Sequence, residues 1–73
     1  MSATTLPPHV RLANEIARQF AHKPAEVAAT SIANHIKAVW DPRMKSALVA
    51  HLEAGGEDLD PVAALAAQQL KAG

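Results

Sequence analysis

The chain has 73 residues and carries seven Lys and Arg against seven Asp and Glu, so its formal net charge is zero. This length allows at most one domain, and zero net charge argues against the strongly cationic surface typical of nucleic-acid-binding domains. The absence of cysteine excludes disulfides and thiolate ligation of zinc or iron–sulfur clusters.

Segments that target a chain to a membrane or for export are not expected. No run of 18 apolar residues is present, so no transmembrane helix is predicted. The N-terminal "MSATTLPPH" has neither the basic start nor the apolar stretch of a secretory signal. These features predict a cytoplasmic protein with no membrane partner.

The apolar content is high in number but small in volume. Hydrophobic residues make up 49% of the chain, yet 17 residues are alanine, which contributes little apolar area. Domains below about 80 residues commonly gain stability from disulfides, a metal or a partner. Residues 1–45 carry six basic against three acidic side chains and residues 46–73 one against four. This asymmetry could orient docking on a larger protein, or reflect two ordinarily solvated faces.

Proline punctuates a series of short helices. Residues 1–7 predict a flexible arm and residues 8–73 a single helical domain. Pro8 is suited to open the first helix, and "AHKP" ends it because a residue before proline avoids the α region. The first apolar stripe consists of Val10, Ala13, Ile16, Ala17 and Phe20.

A second helix is predicted from Pro24, with Glu26 in its first turn. Its apolar face is predicted to contain Val27, Ile32, Ile36, Val39 and Trp40, and its end lies near Val39 or Trp40. Ala28, Ala29 and Ala33 would let a neighbouring helix approach closely.

A third helix begins after Asp41, a strong N-cap residue, with Pro42 in its first position. One side of it holds Met44, Ala47, Leu48, His51 and Leu52. Gly55 or Gly56 can take the left-handed position that ends it.

Asp60 and Pro61 repeat the same start signal for a fourth helix. Its apolar positions are Val62, Leu65, Ala66 and Leu70, with fraying from Lys71. The fold class predicted is all-α: a small bundle of three to four short helices joined by Pro-containing turns.

No catalytic, cofactor-binding or metal-binding residue is predicted. The histidines at positions 9, 22, 35 and 51 show no i, i+4 pair, and "HLE" lacks the cysteines of zinc deaminases. Ser31 lies one helical turn before His35, but the spacing supplies no orienting carboxylate. His22 is placed in the turn after the first helix, and His35 and His51 at the edge of a core or interface.

The densest stretch is "NHIKAVWDPRM", residues 34 to 44. Trp and Arg, with Met, are enriched in protein interfaces, and Trp40, Arg43 and Met44 occur together at one predicted helix corner. We therefore predict Trp40, Arg43, Met44 and His35 as partner-binding residues. For Trp40 a role as a core plug is the stronger alternative. A helix-turn-helix reading with Arg43 and Lys45 on phosphates lacks Asn or Gln base readers.

The segments "RLANEIARQF", "IANHIKAVWDPRMKSALVAHL" and "LDPVAALAAQQL" resemble the small delta subunit of NAD-dependent formate dehydrogenase, across residues 10 to 70. The family segment that resembles "MANQIA" differs here at Leu12 and Glu15. The resemblance implies a non-catalytic accessory subunit of a cytoplasmic molybdenum or tungsten enzyme that supports its assembly, cofactor-loaded maturation or stability.

The partner implied by the resemblance is the alpha subunit, which holds the bis-molybdopterin guanine dinucleotide and iron–sulfur clusters. Through it the chain would associate with the beta and gamma subunits, which pass electrons through FMN and further clusters to NAD. No cofactor is expected on the chain itself. The alternatives are a free-standing helical interaction module or homodimeric regulator, which could self-associate in isolation, and a small DNA-binding protein.

Overall fold

The computed structural model describes residues 6–72, and within that range the chain forms four helices and no strand. The all-α prediction is therefore confirmed. The predicted arm falls mainly on residues 1–5, outside the described residues. The helices are α1 (Pro8–Gln19), α2 (Ala25–Val39), α3 (Pro42–Glu53) and α4 (Pro61–Ala72).

Proline defines where the helices begin. Pro8, Pro42 and Pro61 are each the first residue of a helix, where the missing N–H has no intrahelical partner to lose. Pro24 lies one position earlier, as the N-cap of α2, so that helix begins at Ala25. The predicted helix starts are thus confirmed to within one residue.

The core is built around the packing of α2 on α4, the most extensive helix–helix contact in the described chain. Small side chains line the two facing surfaces and are fully or almost fully buried: Ala28, Ala29 and Ala33 on α2, and Ala63, Ala66 and Ala67 on α4. The predicted close approach at the α2 alanines follows from this packing. The largest fully buried side chains are Ile32, Ile36, Leu48 and Val10.

Three residues predicted to belong to apolar faces are exposed instead: Val27 is 50%, Val39 64% and Leu65 36% exposed. Val27 immediately precedes the buried Ala28 and Leu65 precedes the buried Ala66, and a step of one residue turns a helical side chain by about 100°. Because these helices carry alanine at exposed positions such as Ala38 as well as at buried ones such as Ala33, the tertiary contacts rather than the spacing decide which face is buried.

The loop between α3 and α4 starts with a tight helix ending. Gly56 N–H donates to the carbonyl of His51 at 2.9 Å and Gly55 N–H to that of Leu52 at 3.1 Å, which is the Schellman pattern. The sequence predicted a left-handed position at Gly55 or Gly56, and both glycines have positive φ. Asp58 also has a positive φ of 66°, which the sequence did not indicate.

The same loop is tied to α1 through one side chain. Asn14 Oδ1 accepts from Asp60 N–H at 2.8 Å, and Asn14 Nδ2 donates to the carbonyl of Asp58 at 2.9 Å. Asp60 Oδ1 then caps α4 by accepting from Val62 N–H at 2.9 Å. The loop therefore has a fixed position between the first and fourth helices.

The end of α4 differs from the prediction. The helix continues through Lys71 to Ala72. Lys71 Nζ lies 3.2 Å from Glu53 Oε2 at the end of α3, and a cation near a helix C-terminus is favourable. None of the helices in residues 6–72 has the length and apolarity needed to cross a membrane.

Candidate functional site

The corner between α2 and α3 is made by two residues. Trp40 ends α2 with an extended backbone (φ −80°, ψ 144°), while its N–H still donates to Ile36 O at 2.9 Å. Asp41 Oδ1 accepts from Met44 N–H at 2.8 Å, which confirms the predicted N-cap. Because α2 ends at Trp40 and the capped start of α3 follows directly at Asp41, these two hydrogen bonds hold the backbone of the corner in a defined shape.

Trp40 is half-buried and packs against the buried core cluster. The structure therefore supports the core-plug alternative for part of the indole and leaves the rest in contact with solvent. A tryptophan has enough surface to serve both purposes, because its ring is large and amphipathic.

The other predicted contact residues differ in exposure. Arg43 is exposed, as predicted, and Met44 is half-buried. His35 is exposed on α2, five residues before Trp40, which places it on a different side of that helix. The structure thus brings Trp40, Arg43 and Met44 to one corner and leaves His35 apart from Trp40.

Val39 extends the apolar surface of this corner. It lies seven residues after Ile32 and three after Ile36, and therefore on the same side of α2 as these two fully buried isoleucines. Yet Val39 is 64% exposed, because α2 ends there and the described part of the chain does not cover it. The buried stripe of α2 therefore continues into an uncovered end. We call Val39, Trp40, Arg43 and Met44 the docking corner.

Positively charged residues lie at the junction of α2 and α3, next to the docking corner. Lys45 on α3 donates from Nζ to the carbonyl of Lys37 on α2 at 3.4 Å, so both lysines lie at the junction of these helices. With Arg43 they place three cations near the corner, against the single carboxylate of Asp41, which already accepts a backbone hydrogen bond. An acidic partner surface would complement this charge.

Two histidines meet at a distance from the docking corner. The rings of His9 on α1 and His51 on α3 form an edge-to-face pair with centroids 5.7 Å apart. His51 Nε2 lies 2.6 Å from the carbonyl of Glu57, so this nitrogen donates. Partial burial, and secondly the nearby His51, lower the pKa of His9. The pair spans 42 residues of sequence, so local spacing could not reveal it.

A metal site does not arise from this pair. Within residues 6–72 no three His, Asp or Glu side chains are grouped closely enough to hold an ion. His51 is already engaged with the α3–α4 loop through Nε2. The arrangement packs α1 against α3 and the loop.

Comparison with known protein families identifies the family of this chain. Residues 9–67 match the family of NADH-dependent formate dehydrogenase delta subunits, FdsD. The chain belongs to the FdsD family. The match runs from the first turn of α1 into α4 and includes the whole docking corner. No curated protein and no solved structure matches the chain.

Membership of the FdsD family confirms the resemblance read from the sequence. The chain is a delta subunit of NAD-dependent formate dehydrogenase and so associates with a formate dehydrogenase complex.

Proposed function

We propose that this FdsD chain is a non-catalytic accessory subunit that docks on the catalytic alpha subunit of formate dehydrogenase through the docking corner. There it supports assembly, cofactor-loaded maturation or stability of the complex. The observation that carries the proposal is the apolar stripe of α2, which is buried at Ile32 and Ile36 and emerges uncovered at Val39. Such a stripe is completed when another protein covers its end.

The chemistry of the docking corner suits binding rather than proton transfer. Its side chains are an isopropyl group, an indole, a guanidinium and a thioether. The guanidinium offers hydrogen-bond donors and no acceptor, the indole offers one donor, and the isopropyl and thioether groups contribute mainly apolar surface. These groups can contribute apolar contact and charge-assisted hydrogen bonds, and we assign no reaction step to them.

The energy available at the corner fits a protein contact. Covering a valine contributes about 1.5 kcal/mol, and interface binding energy concentrates in a few Trp and Arg anchors. Arg43 is exposed and free to form a bidentate contact with a partner carboxylate. Together these groups would form the centre of an interface.

The test is complementation of a strain that lacks the gene for this chain. We expect less intact complex and lower formate-dependent NAD reduction in the deletion strain. The wild-type gene restores both, while a gene carrying Val39→Ser and Arg43→Ala restores them only in part. Full assembly and activity in the deletion strain would refute an accessory role.

The chain offers a matched control on the same helix. Val27 is also exposed, at 50%, but lies on the opposite side of α2 from the buried stripe. Val27→Ser should restore assembly as well as wild type does. If Val27→Ser fails as badly as the Val39 variant, the loss reflects α2 in general and the docking corner is wrongly assigned.

Sedimentation separates this proposal from a free-standing interaction module. The purified chain should co-sediment with the alpha subunit, with or without self-association when alone. A stable homodimer that does not bind the alpha subunit would instead favour the homodimeric regulator. Steep salt-dependent binding to duplex DNA would favour the DNA-binding alternative.

A further inference from the structure

A groove runs between α2, α3 and α4 on the bundle surface. Its volume is about 650 Å³, and it is open to solvent along its length. Apolar side chains of Val49 and Leu70 line it, and the lysines at positions 37, 45 and 71 stand around them. We call these five residues the lysine groove.

Within residues 6–72, the positive charge of the lysine groove is largely uncompensated. Glu53 is the acidic residue that lines it, and it pairs with Lys71 at 3.2 Å. Both side chains of this pair are more than half exposed, and exposed ion pairs contribute little. Lys45 reaches only a backbone carbonyl, that of Lys37. A ligand carboxylate can therefore approach these lysines without first breaking a strong internal pair.

We propose that the lysine groove binds an acidic amphipathic segment of the subunit on which the chain docks, with apolar side chains against Val49 and Leu70 and carboxylates toward the lysines. The proposal rests on the proposed function and extends it from the corner to the adjoining surface. An amphipathic segment in an apolar groove with a charged rim is a recurrent mode of peptide recognition. Charge complementarity also fixes the direction in which such a segment lies.

A second copy of this chain is a poorer occupant. Its acidic stretch is the α3–α4 loop, and that backbone is already bound: the carbonyl of Glu57 to His51, and Asp60 to Asn14. The loop could not lie along a groove without losing these bonds. The acidic segment is therefore expected from a different protein.

The experiment measures affinity of purified chain variants for formate dehydrogenase prepared from the deletion strain. Lys37→Glu with Lys71→Glu reverses two exposed charges in the groove. We expect this variant to bind about tenfold more weakly or worse than wild type, with a smaller dependence on salt. The matched control is Arg18→Glu with Lys23→Glu, which reverses two exposed charges outside the groove and should bind within about twofold of wild type.

The outcomes separate the two proposals. If the wild-type chain does not bind the enzyme, the proposed function fails. If wild type binds and the groove variant binds as the control does, the docking function stands and the groove inference is overturned. Circular dichroism of each variant shows that folding is retained; should the charge reversals unfold the chain, Ala50→Glu, at an exposed groove position, replaces them with the same expected loss.

Cross-linking identifies the occupant. A photoreactive residue at Ala50, which lines the groove and is exposed, should capture an acidic peptide of the partner subunit within the assembled complex. The same residue at Ala21, exposed in the α1–α2 turn, should not capture that peptide. Capture of a basic peptide, or of a second copy of this chain, would overturn the inference.

Discussion

Two helices of this protein start in the same way and end up in different surroundings. Both Asp41-Pro42 and Asp60-Pro61 place an aspartate cap before a proline in the first helical position. The loop before Asp60 is bound to α1 by Asn14 and to α3 by His51. The corner before Asp41 is joined across α2 and α3 by a lysine contact and leaves Val39 uncovered.

The contrast shows that a helix-start signal says nothing about what the adjoining surface is for. The α3–α4 loop uses its polar groups to satisfy the fold. The docking corner combines a rigid backbone with apolar and cationic groups left in solvent. We infer that the polar groups of the loop stabilise the fold, whereas the corner is available for binding except for the part of Trp40 that packs on the core. The following changes test that division.

The largest effect is expected from Trp40→Ala. Removing a fully buried aromatic side chain costs 3–5 kcal/mol, so a half-buried indole packed on the core should cost about 2 kcal/mol. In a domain of this size that lowers the melting midpoint by roughly 10 °C. Thermal unfolding of the isolated chain measures it. An unchanged midpoint together with lost binding would mean that Trp40 serves the interface alone.

Asn14→Ala tests the loop. Both Asn14 hydrogen bonds are lost, and the N–H of Asp60 is left without its partner. We expect a loss of about 1.5 kcal/mol in the free energy of unfolding, measured with urea. Asn34→Ala, at an exposed position on α2, should stay within about 0.5 kcal/mol of wild type. Equal effects would contradict the anchoring role of Asn14.

Asp41→Ala compares the two caps directly. Loss of the hydrogen bond to Met44 N–H should cost about 1 kcal/mol. Asp60→Ala should cost at least as much, because the bond that Asp60 Oδ1 accepts from Val62 N–H is part-buried, whereas the cap bond of Asp41 is exposed. Calorimetry of both variants decides the order. A larger loss for Asp41 would reverse the assignment of stability to the loop.

The smallest effect expected is a pH dependence of the free energy of unfolding, which arises from His9 where it packs against His51. Because folding lowers the pKa of His9 from its ordinary value of 6.5, the folded state binds fewer protons than the unfolded state just below that pH. Stability should therefore be complete above pH 6.5 and fall as the pH drops through 6.5 toward the folded value. Repulsion from His51, whose ring faces His9, is the second cause of this lowered pKa, after partial burial. In His9→Gln the melting midpoint should vary less with pH between roughly pH 5 and 7 than in wild type. A steeper variation in the variant would contradict a lowered pKa of His9 in the folded state.

The helices and their caps could be predicted from sequence because their signals are local. Pro8, Pro42 and Asp41 act within one turn, and no distant residue is needed to interpret them. The same locality made the docking corner visible in Trp40, Arg43 and Met44. The assignment of these residues and His35 to a partner contact remains a prediction.

The rest depends on contacts between distant parts of the chain. Asn14 reaches Asp60 across 46 residues, and no local pattern indicates that bond. Val27 and Leu65 were misplaced because alanine-rich helices can bury either of two adjacent faces at similar cost. The spacing correctly placed Val39 on the same side of α2 as the buried isoleucines. Its exposure follows from its position at the end of the bundle, where nothing in the described chain covers it.

The alanine-lined contact between α2 and α4 has a consequence for any ligand that reaches across these helices. A methyl group has no side-chain torsion to change, so the separation of the two helix axes is set by the main chain itself. Lys37 lies on α2 and Lys71 on α4, so the distance between their backbone positions is fixed by this helix packing. The backbone therefore fixes the positions from which the two lysine side chains extend, and only these flexible side chains remain to adjust to a ligand.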